Sequence, residues 1–584
     1  LLKSIFLRLQ RLVLEKIDNK TIIRQLRLAG TLLELHGENQ FKIRSYVNAV
    51  FPLERLEQPL YQLPPEEISN LQGIGKSIAA NIQEILETGT FPLLEELLAK
   101  TPEGILRMLG IKGLGPKKVQ QIWQEIGIED PEALLQACEE NKLAKVKGFG
   151  AKTQETIKEA LLFTKENQGR LRYADCLPIA EKLKELLQQK FSMVELAGEL
   201  RRCMEVITNI CLVVGHEDAA AVWDELNKLN ELQAESSCCG PYAWRGKLEE
   251  TQLPVEVHVA APEQFASALV VFTGSDAHLG TPLSNGRTLL QLAREKAYAT
   301  EEAIYQEAGL AWVAPELREG RGELALAAED ALPQLIQYTD FKGILHNHST
   351  YSDGKNTLRE MAAYCRELGF QYVGMSDHSQ SAFYAGGLQI ERVRQQHKEI
   401  DALNQEMGPF RIFKGIESDI LADGSLDYPA DQLAEFDFIV ASVHANLNMS
   451  LQKATDRLLT AIANPFTTIL GHPTGRLLLR RAGYPIDHKA VIDACAAHGV
   501  IIEINANPWR LDIDWRWVSY ALEQGVWISV NPDAHETAGY HDMYFGMLAG
   551  RKGGLTAERC FNAQPLEVVA KHFEHRKQKA LQQI

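Results

Sequence analysis

The 584-residue sequence predicts a multidomain protein, with a helical N-terminal third, a mixed α+β middle and a C-terminal barrel of alternating strands and helices. Three observations carry this expectation. An apolar-x-Gly-apolar-Gly turn occurs three times in the first third. Between Leu171 and Gln337 the periodicity changes to mixed strand and helix patterns. From Phe341 onward, seven short apolar runs alternate with helix-like segments, and each run ends on a polar side chain.

Length alone requires several cores, since one domain takes on the order of 150 residues. With 45% hydrophobic and 24% charged residues the composition is globular, and no stretch approaches the roughly 18 uninterrupted apolar residues of a membrane span. No membrane association is expected. Leu1 to Leu14 is apolar but broken by Lys3, Arg8 and Arg11 and has no small-residue cleavage site, which predicts an amphipathic helix rather than a signal peptide. Nine cysteines, an odd number without regular spacing, are expected to be reduced thiols in a cytoplasmic, monomeric protein, with Cys238-Cys239 structural. The net charge of −16 opposes a nucleic-acid partner only in bulk. Clustered lysines and bound cations reverse the sign locally.

The three turns are Leu71-Gln-Gly-Ile-Gly-Lys76, Ile111-Lys-Gly-Leu-Gly-Pro-Lys-Lys118 and Val146-Lys-Gly-Phe-Gly-Ala-Lys-Thr153. Their paired glycines allow a tight turn and close approach to a partner, and the following helix points its first amides outward to receive a phosphate. A single copy would read equally as an ordinary helix–helix turn. Three copies, with Lys112, Lys117, Lys118, Lys147 and Lys152 on or beside them, favour an electrostatic clamp. They resemble the helix-hairpin-helix motif, which grips DNA backbone without reading sequence. The resemblance implies DNA contacts from Gly73, Gly75, Lys76, Gly113, Gly115, Lys117, Lys118, Gly148, Gly150 and Lys152. It also divides the helical third into domains 1–90, with the first turn, and 91–170, with the other two.

In the middle region strands are expected at Ile210–Val214, Val255–Val259 and Leu269–Phe272, and the charged, Ala-rich stretch Pro315–Gln337 reads as the connector. The seven runs beyond it end in Gly343-Ile-Leu-His-Asn-His348, Tyr372-Val-Gly-Met-Ser-Asp-His378, Phe413-Lys-Gly-Ile-Glu417, Phe438-Ile-Val-Ala-Ser-Val-His444, Thr468-Ile-Leu-Gly-His472, Val500-Ile-Ile-Glu-Ile-Asn505 and Val526-Trp-Ile-Ser-Val-Asn-Pro-Asp-Ala-His535. Helix-like segments such as Thr357–Leu368 and Lys489–His498 separate them. Parallel strand–helix units of this kind close into a barrel and gather their strand ends at one face. The gathered donors are His346, His348, Asp353, His378, Glu417, His444, His472, Asp533 and His535. Imidazoles and carboxylates without thiolate suit borderline divalent ions such as Mn²⁺, Zn²⁺ or Fe²⁺, and nine donors are too many for one ion. Two or three ions are expected. His397, His488, His498, His541, His572 and His575 lie on helical or tail stretches and read as structural.

The motifs H-N-H-S-T-Y-S-D-G, S-D-H-S, G-I-E, S-V-H-A, G-H-P-T-G and P-D-A-H resemble the polymerase-and-histidinol-phosphatase (PHP) family of metal-dependent phosphoesterases, over about 341–584. The resemblance implies a distorted (β/α)7 barrel holding three divalent ions. One ion would take His346, His348, Glu417 and Asp533, the catalytic set that activates water. Glu417 would bridge to a second held by His444 and His472, and the third would take Asp353, His378 and His535. Arg476 and Lys355 are candidate phosphate contacts or, equally, solvated surface charges.

Residues from about Asp18 to Arg321 resemble a family X DNA polymerase through Gly37-Glu-Asn-Gln-Phe-Lys-Ile-Arg-Ser-Tyr46, the hairpin turns, Gly198-Glu-Leu-Arg-Arg202, Phe272-Thr-Gly-Ser275 and Pro315-Glu-Leu-Arg-Glu319. The resemblance implies a palm and thumb over 171–325, a linker at 326–340 and, as in bacterial members, a C-terminal PHP domain at 341–584. It also implies three Asp residues holding two Mg²⁺ ions, but here the D-x-D strand carries Asn209 and Cys211, and Glu256 occupies the third position. An amide and a thiol are poor ligands for a hard cation. Glu199 further stands where the family has a phosphate-binding Ser, and its charge repels a triphosphate. Asn81 replaces the lysine that would form a Schiff base in a lyase. Polymerase activity is therefore expected to be lost. The leading reading is a metal-dependent 3′-5′ exonuclease of DNA repair acting on gapped or single-stranded DNA, with abasic-site cleavage as a variant. A small-molecule phosphatase, a DNA-binding scaffold and a still-active polymerase remain the alternatives.

Overall fold

The computed structural model describes residues 17–583 except 55, 57 and 112. The helix expected over Leu1–Leu14, and Lys112, lie outside the described residues. The chain forms two compact units, one reaching to Gln168 and including Glu249–Thr251, the other made of Gly169–Leu248 and the chain from Gln252 onward. Among the described residues no helix is long and apolar enough to cross a membrane. All nine cysteines are free.

The first unit is helical. Its opening helix, Asn19–Leu35, is capped by Asp18, whose side chain accepts from Thr21 N at 2.8 Å, and buries Ile22, Leu26, Ala29 and Leu33 along one face. The three predicted turns share one geometry. Gly73, Gly113 and Gly148 adopt φ of +83°, +88° and +93°, where a side chain would be strained. Gly75, Gly115 and Gly150 then cap Lys76–Thr88, Pro116–Gln121 and Ala151–Glu166, and none of these helix starts has a side-chain cap. Their first amides are thus left for another acceptor.

The second unit begins with β1 (Leu171–Arg172), β2 (Val194–Ala197), β3 (Val206–Ile207), β4 (Ile210–Gly215), β5 (Leu232–Ala234), β6 (Ala243–Leu248) and β7 (Pro254–Ala260). Five of these form a sheet in the order β2-β4-β7-β6-β5, in which only the β4–β7 pair is parallel. The strands expected at Ile210–Val214 and Val255–Val259 are β4 and β7. Leu269–Phe272 is instead the end of the helix Phe265–Thr273. A four-residue apolar run does not discriminate strand from buried helix, and here Ala266, Leu269, Val270 and Thr273 line the buried face at helical spacing.

Seven parallel strands follow: β8 (Gly343–Ile344), β9 (Tyr372–Met375), β10 (Arg411–Asp419), β11 (Phe438–Ser442), β12 (Ile469–Leu470), β13 (Ile501–Asn505) and β14 (Ile528–Asn531), paired in sequence order. Beyond β8 and β14 a parallel bridge between Asn347 and Ala534, with His348 N donating to Ala534 O at 2.8 Å, nearly closes the barrel. Phe438 fills the interior where Gly374 and Gly415 leave room, since a Cβ on either would come within 2.5 Å and 2.3 Å of its ring. The C-terminal helix Leu566–Leu581 plugs one end, its Phe573 stacked 5.0 Å from Phe438. The strand C-termini are left to build the other end.

Pro315–Gln337 and the stretch 326–340 are not a free connector. Glu301 holds both Arg201 and the fully buried Arg318, Lys552 Nζ reaches Glu319 at 2.5 Å, and Arg551 reaches Glu316 at 2.8 Å. Leu335 bridges Thr556, and Ile336 N donates to Leu555 O. Charged residues that read as a linker in sequence are therefore spent on buried ion pairs. Burial alone would raise the Glu301 carboxyl, but Arg201 and Arg318 outweigh it and hold it at about 2. A depressed carboxyl contributes stability above its unfolded value and loses it as pH falls toward the folded one. Denaturant unfolding should therefore show stability falling below about pH 4.5. Glu301→Gln should lack that part of the fall and be destabilised at neutral pH by about 3 kcal/mol, because the buried Arg318 and the partly buried Arg201 lose their counter-charge.

Candidate metal centre

All nine predicted donors converge at the C-terminal ends of the barrel strands. Glu417, on β10 and fully buried, lies at the centre. Its Oε1 is 3.0 Å from His472 Nε2, 3.2 Å from His444 Nε2 and 3.3 Å from His346 Nε2. Its Oε2 is 2.9 Å from His378 Nδ1 and 3.6 Å from His348 Nε2. Asp533 Oδ1 lies 3.0 Å from His348 Nε2 and 3.5 Å from His346 Nε2, and Asp353 Oδ1 is 3.4 Å from His535 Nε2 and 3.6 Å from His378 Nε2.

This arrangement suits cations better than hydrogen bonds. Glu417 Oε2, His378 Nδ1 and His346 Nε2 are buried and close to one another's partners, yet none makes an aligned hydrogen bond. Buried polar atoms ordinarily do. Donor atoms within 4.8 Å of one another form three groups: His348, Asp353, His378 and His535; His346, His348 and Asp533; and His378, Glu417 and His444. The expected partition differs in that His348 also joins the Asp353 group and His378 the Glu417 group, while His472 reaches only Glu417. The donor set fits divalent ions.

The electrostatics follow from crowding charge in a dry site. Burial pulls His346 down, but Glu503, Asp533 and Glu417 outweigh it and hold it well above the ordinary imidazole value. Burial likewise opposes His444, which Glu417 and Asp419 carry up to about 10, and His535, which Asp353 and Asp533 carry up to about 9. His348 is driven down to about 3 by burial and by the neighbouring His535 and His378. Glu417 and Asp533 lie well below the carboxylate range despite burial, because the surrounding imidazoles favour their charged form. The backbone is strained at the same place. His472 and Asp533 have φ of +21° and +54°, a region that non-glycine residues occupy at a cost of about 1–3 kcal/mol.

Four residues outside the predicted set orient it. Glu503 Oε2 holds His346 Nδ1 at 2.7 Å, and Asp419 Oδ1 holds His444 Nδ1 at 2.6 Å, so each ring turns Nε2 inward. Asn505 Nδ2 bridges Glu503 and Asp533 at 3.1 Å and 3.0 Å. The buried Asp377 accepts from the backbone and hydroxyls of Ser349 and Ser352, fixing the turn that presents Asp353. A signal for some of them was present. In a strand, residues i and i+2 share a face, and the pairs Glu417/Asp419, Glu503/Asn505 and Asn531/Asp533 follow that spacing.

The two candidate phosphate contacts lie differently. Arg476 is committed to the fold, with Nη1 on Asp514 at 2.5 Å, Nε on Arg510 O at 2.8 Å and Nη2 on Leu511 O. Arg510 instead faces the cluster, its Nε 3.6 Å from Asp533 Oδ2. Lys355 is half exposed and pairs with Glu536 at 2.9 Å. In the first unit Lys76, Lys117 and Lys152 are exposed beside their turns, and Lys118 Nζ donates to Gly113 O at 3.1 Å. Asn81 donates to Tyr46 Oη at 2.7 Å.

On the five-stranded sheet, β4 and β7 bring Cys211 opposite Glu256. Burial pushes the Cys211 thiol up to about 12, so it stays neutral. Glu256 is paired with Arg245 at 3.2 Å and His258 at 3.3 Å, and His258 stacks on Phe272. Asn209 is partly exposed beside Thr208, whose N–H donates to Glu199 at 2.5 Å. Among the described residues, every group of three or more metal-capable side chains lies in the barrel.

Family models match a helix-hairpin-helix domain over residues 17–91, a SAM-like helix-hairpin-helix tandem over 105–161 and a PHP domain over 345–507. The DNA polymerase/3′-5′ exonuclease PolX of Bacillus subtilis (strain 168) is 36% identical over 563 residues, covering 94% of this chain and 98% of that protein. The chain belongs to the PolX family. Its barrel alone is also similar to probable phosphatases. One, from Thermoanaerobacter sp. (strain X514), is 27% identical over 40% of this chain and 94% of its own. Another, from Caldanaerobacter subterraneus subsp. tengcongensis, is 27% identical over 32% of this chain and 74% of its own. The PHP match ends before Asp533 and His535, so in this PolX chain the last two donors are placed by geometry alone.

Because Asp419 and Glu503 hold imidazoles that face the cluster, Asp419→Asn and Glu503→Gln should each weaken Mn²⁺ binding about 10- to 100-fold. The rise in melting temperature on Mn²⁺ titration would read this directly. Identical titration curves for wild type and both variants would show that these carboxylates do not orient ligands.

Proposed function

We propose that this PolX protein is a metal-dependent 3′-5′ exodeoxyribonuclease acting in DNA repair, with polymerase activity lost. The observation that carries the reading is the buried carboxylate Glu417 among imidazoles, with its Oε2, His346 Nε2 and His378 Nδ1 lacking aligned hydrogen-bond partners, in a chain whose B. subtilis relative is named as a polymerase and 3′-5′ exonuclease. His346, His348, Glu417 and Asp533 would hold one divalent ion, Glu417 with His444 and His472 a second, and Asp353, His378 and His535 a third, drawn from Mn²⁺, Zn²⁺ or Fe²⁺. Such ions supply Lewis-acid activation of water and neutralise phosphate oxygens. Glu503 and Asp419 hold the Nδ1 atoms of His346 and His444 and so keep each ring's Nε2 toward the cluster.

The hairpin turns at Gly73, Gly113 and Gly148 would hold the backbone of gapped or single-stranded DNA through exposed helix starts and lysines, for a monomeric enzyme. Internal abasic sites are a second diester substrate of the same chemistry. On the polymerase-like sheet, Glu256 is already paired with Arg245 and contacts His258, and a neutral Cys211 faces it, so two Mg²⁺ ions lack a site. The likeness of the barrel to probable phosphatases favours a second reading, hydrolysis of a small monoester. The two hairpin domains have no role in that reading.

With Mn²⁺ present, 3′-labelled single-stranded and gapped DNA should be shortened from the labelled end, at least about 100-fold more slowly by His346→Ala. A primed template with nucleotides should give no extension. Faster turnover of histidinol phosphate than of DNA would establish the second reading, and extension by the wild type would overturn the loss of polymerase activity.

A further inference from the structure

Phe383 and Tyr384 project from the loop after His378 with 84% and 71% of their surface exposed. Packing does not account for them, because their neighbours Ala382 and Ala385 are buried, so the loop turns its small residues inward and its large rings outward. Nor is the loop loose. Ser381 N donates to Asp427 at 2.7 Å, Ser381 Oγ to Asp419 at 3.0 Å, and Leu388 N to His378 O at 2.8 Å. Asp419 is the carboxylate that orients His444, so the rings and the metal cluster share one rigid support.

The Tyr384 ring lies 6.3 Å from the His378 ring, at the mouth of the cluster. Burial, with the nearby charges of Asp419, Glu417 and Asp353, pushes its hydroxyl's pKa up against the opposing pull of Arg510. Arg510 itself sits 3.6 Å from Asp533. Beside the metal-binding donors the chain therefore presents two exposed aromatic residues and a cation.

We propose that Phe383 and Tyr384 form a stacking platform for the terminal nucleobase of a DNA strand whose adjacent phosphodiester lies at the metal cluster, with Arg510 facing that phosphate. This rests on reading the barrel as a nuclease for DNA ends, and it specifies how an end is distinguished from a bare phosphoester. Every base has a π-face, so stacking selects an end that bears a base without selecting its sequence. The platform acts in substrate positioning, and hydrolysis remains with the barrel donors.

The test compares kcat/KM, with Mn²⁺, for two 3′-labelled oligonucleotides that differ only in whether the 3′-terminal sugar carries a base. Wild type should prefer the base-bearing end by about 10-fold or more. In the double variant Phe383→Ala/Tyr384→Ala the ratio should collapse toward one, chiefly through KM, while Tyr384→Phe, which keeps the ring, should retain it. The ratio is internal to each protein, so partial misfolding does not alter it. An unchanged ratio in the double variant overturns the platform alone. Failure of the wild type to cleave either oligonucleotide, while it hydrolyses bis(p-nitrophenyl) phosphate, overturns both the platform and the reading beneath it.

Discussion

A carboxylate held charged in a dry interior is the constraint on which this structure depends. Glu417 is fully buried, and His346, His348, His378, His444 and His472 all lie within 3.6 Å of its oxygens. An isolated buried charge is prohibitive, so something positive must share the site. In the protein by itself that role falls to protons on His346, His444 and His535, whose affinity the neighbouring carboxylates raise. Cations compete for the same nitrogens, so metal binding releases protons and strengthens as pH rises. The barrel exists to impose this crowding. Seven strand ends, the strained backbone at His472 and Asp533, and the carboxylates behind the rings all hold donors where none would gather unaided.

The polymerase-like sheet shows what happens when that demand is absent. There the one acidic residue at the nucleotidyl position, Glu256, is matched by Arg245 and His258, and the thiol opposite is neutral. Glu256 thus already has a guanidinium partner. The sheet nevertheless belongs to the same compact unit as the barrel, through Lys552 with Glu319 and the Arg202 carbonyl and through Arg516 with Glu205. Its retention has a structural reason that does not require nucleotidyl transfer. Removing these segments would leave Lys552 and Arg551 without partners on the barrel's own helix.

Much of this was legible in the sequence, and the gaps have physical causes. Short apolar runs ending on polar side chains gave all seven strands, because a parallel barrel must be apolar along its staves and can be polar only at their ends. The hairpins were legible because only glycine adopts the φ that Gly73, Gly113 and Gly148 require. Glu503, Asp419 and Asp377 were passed over. Their role depends on which ring nitrogen or turn they face, which spacing does not encode. Arg476 read as a phosphate contact or a solvated charge, yet the chain turns it toward Asp514. Leu269–Phe272 and the stretch after Pro315 were misread for opposite reasons. The first is an apolar run too short to show a period, and the second a charged run whose charges are buried in pairs.

On the proposed function, cations belong in the barrel and not on the polymerase-like sheet. Anomalous diffraction from crystals grown with Mn²⁺ tests it most directly. Three peaks around Glu417, with none beside Glu256 and Cys211, is the predicted result; a barrel without peaks, or an ion bound at Glu256, would contradict it.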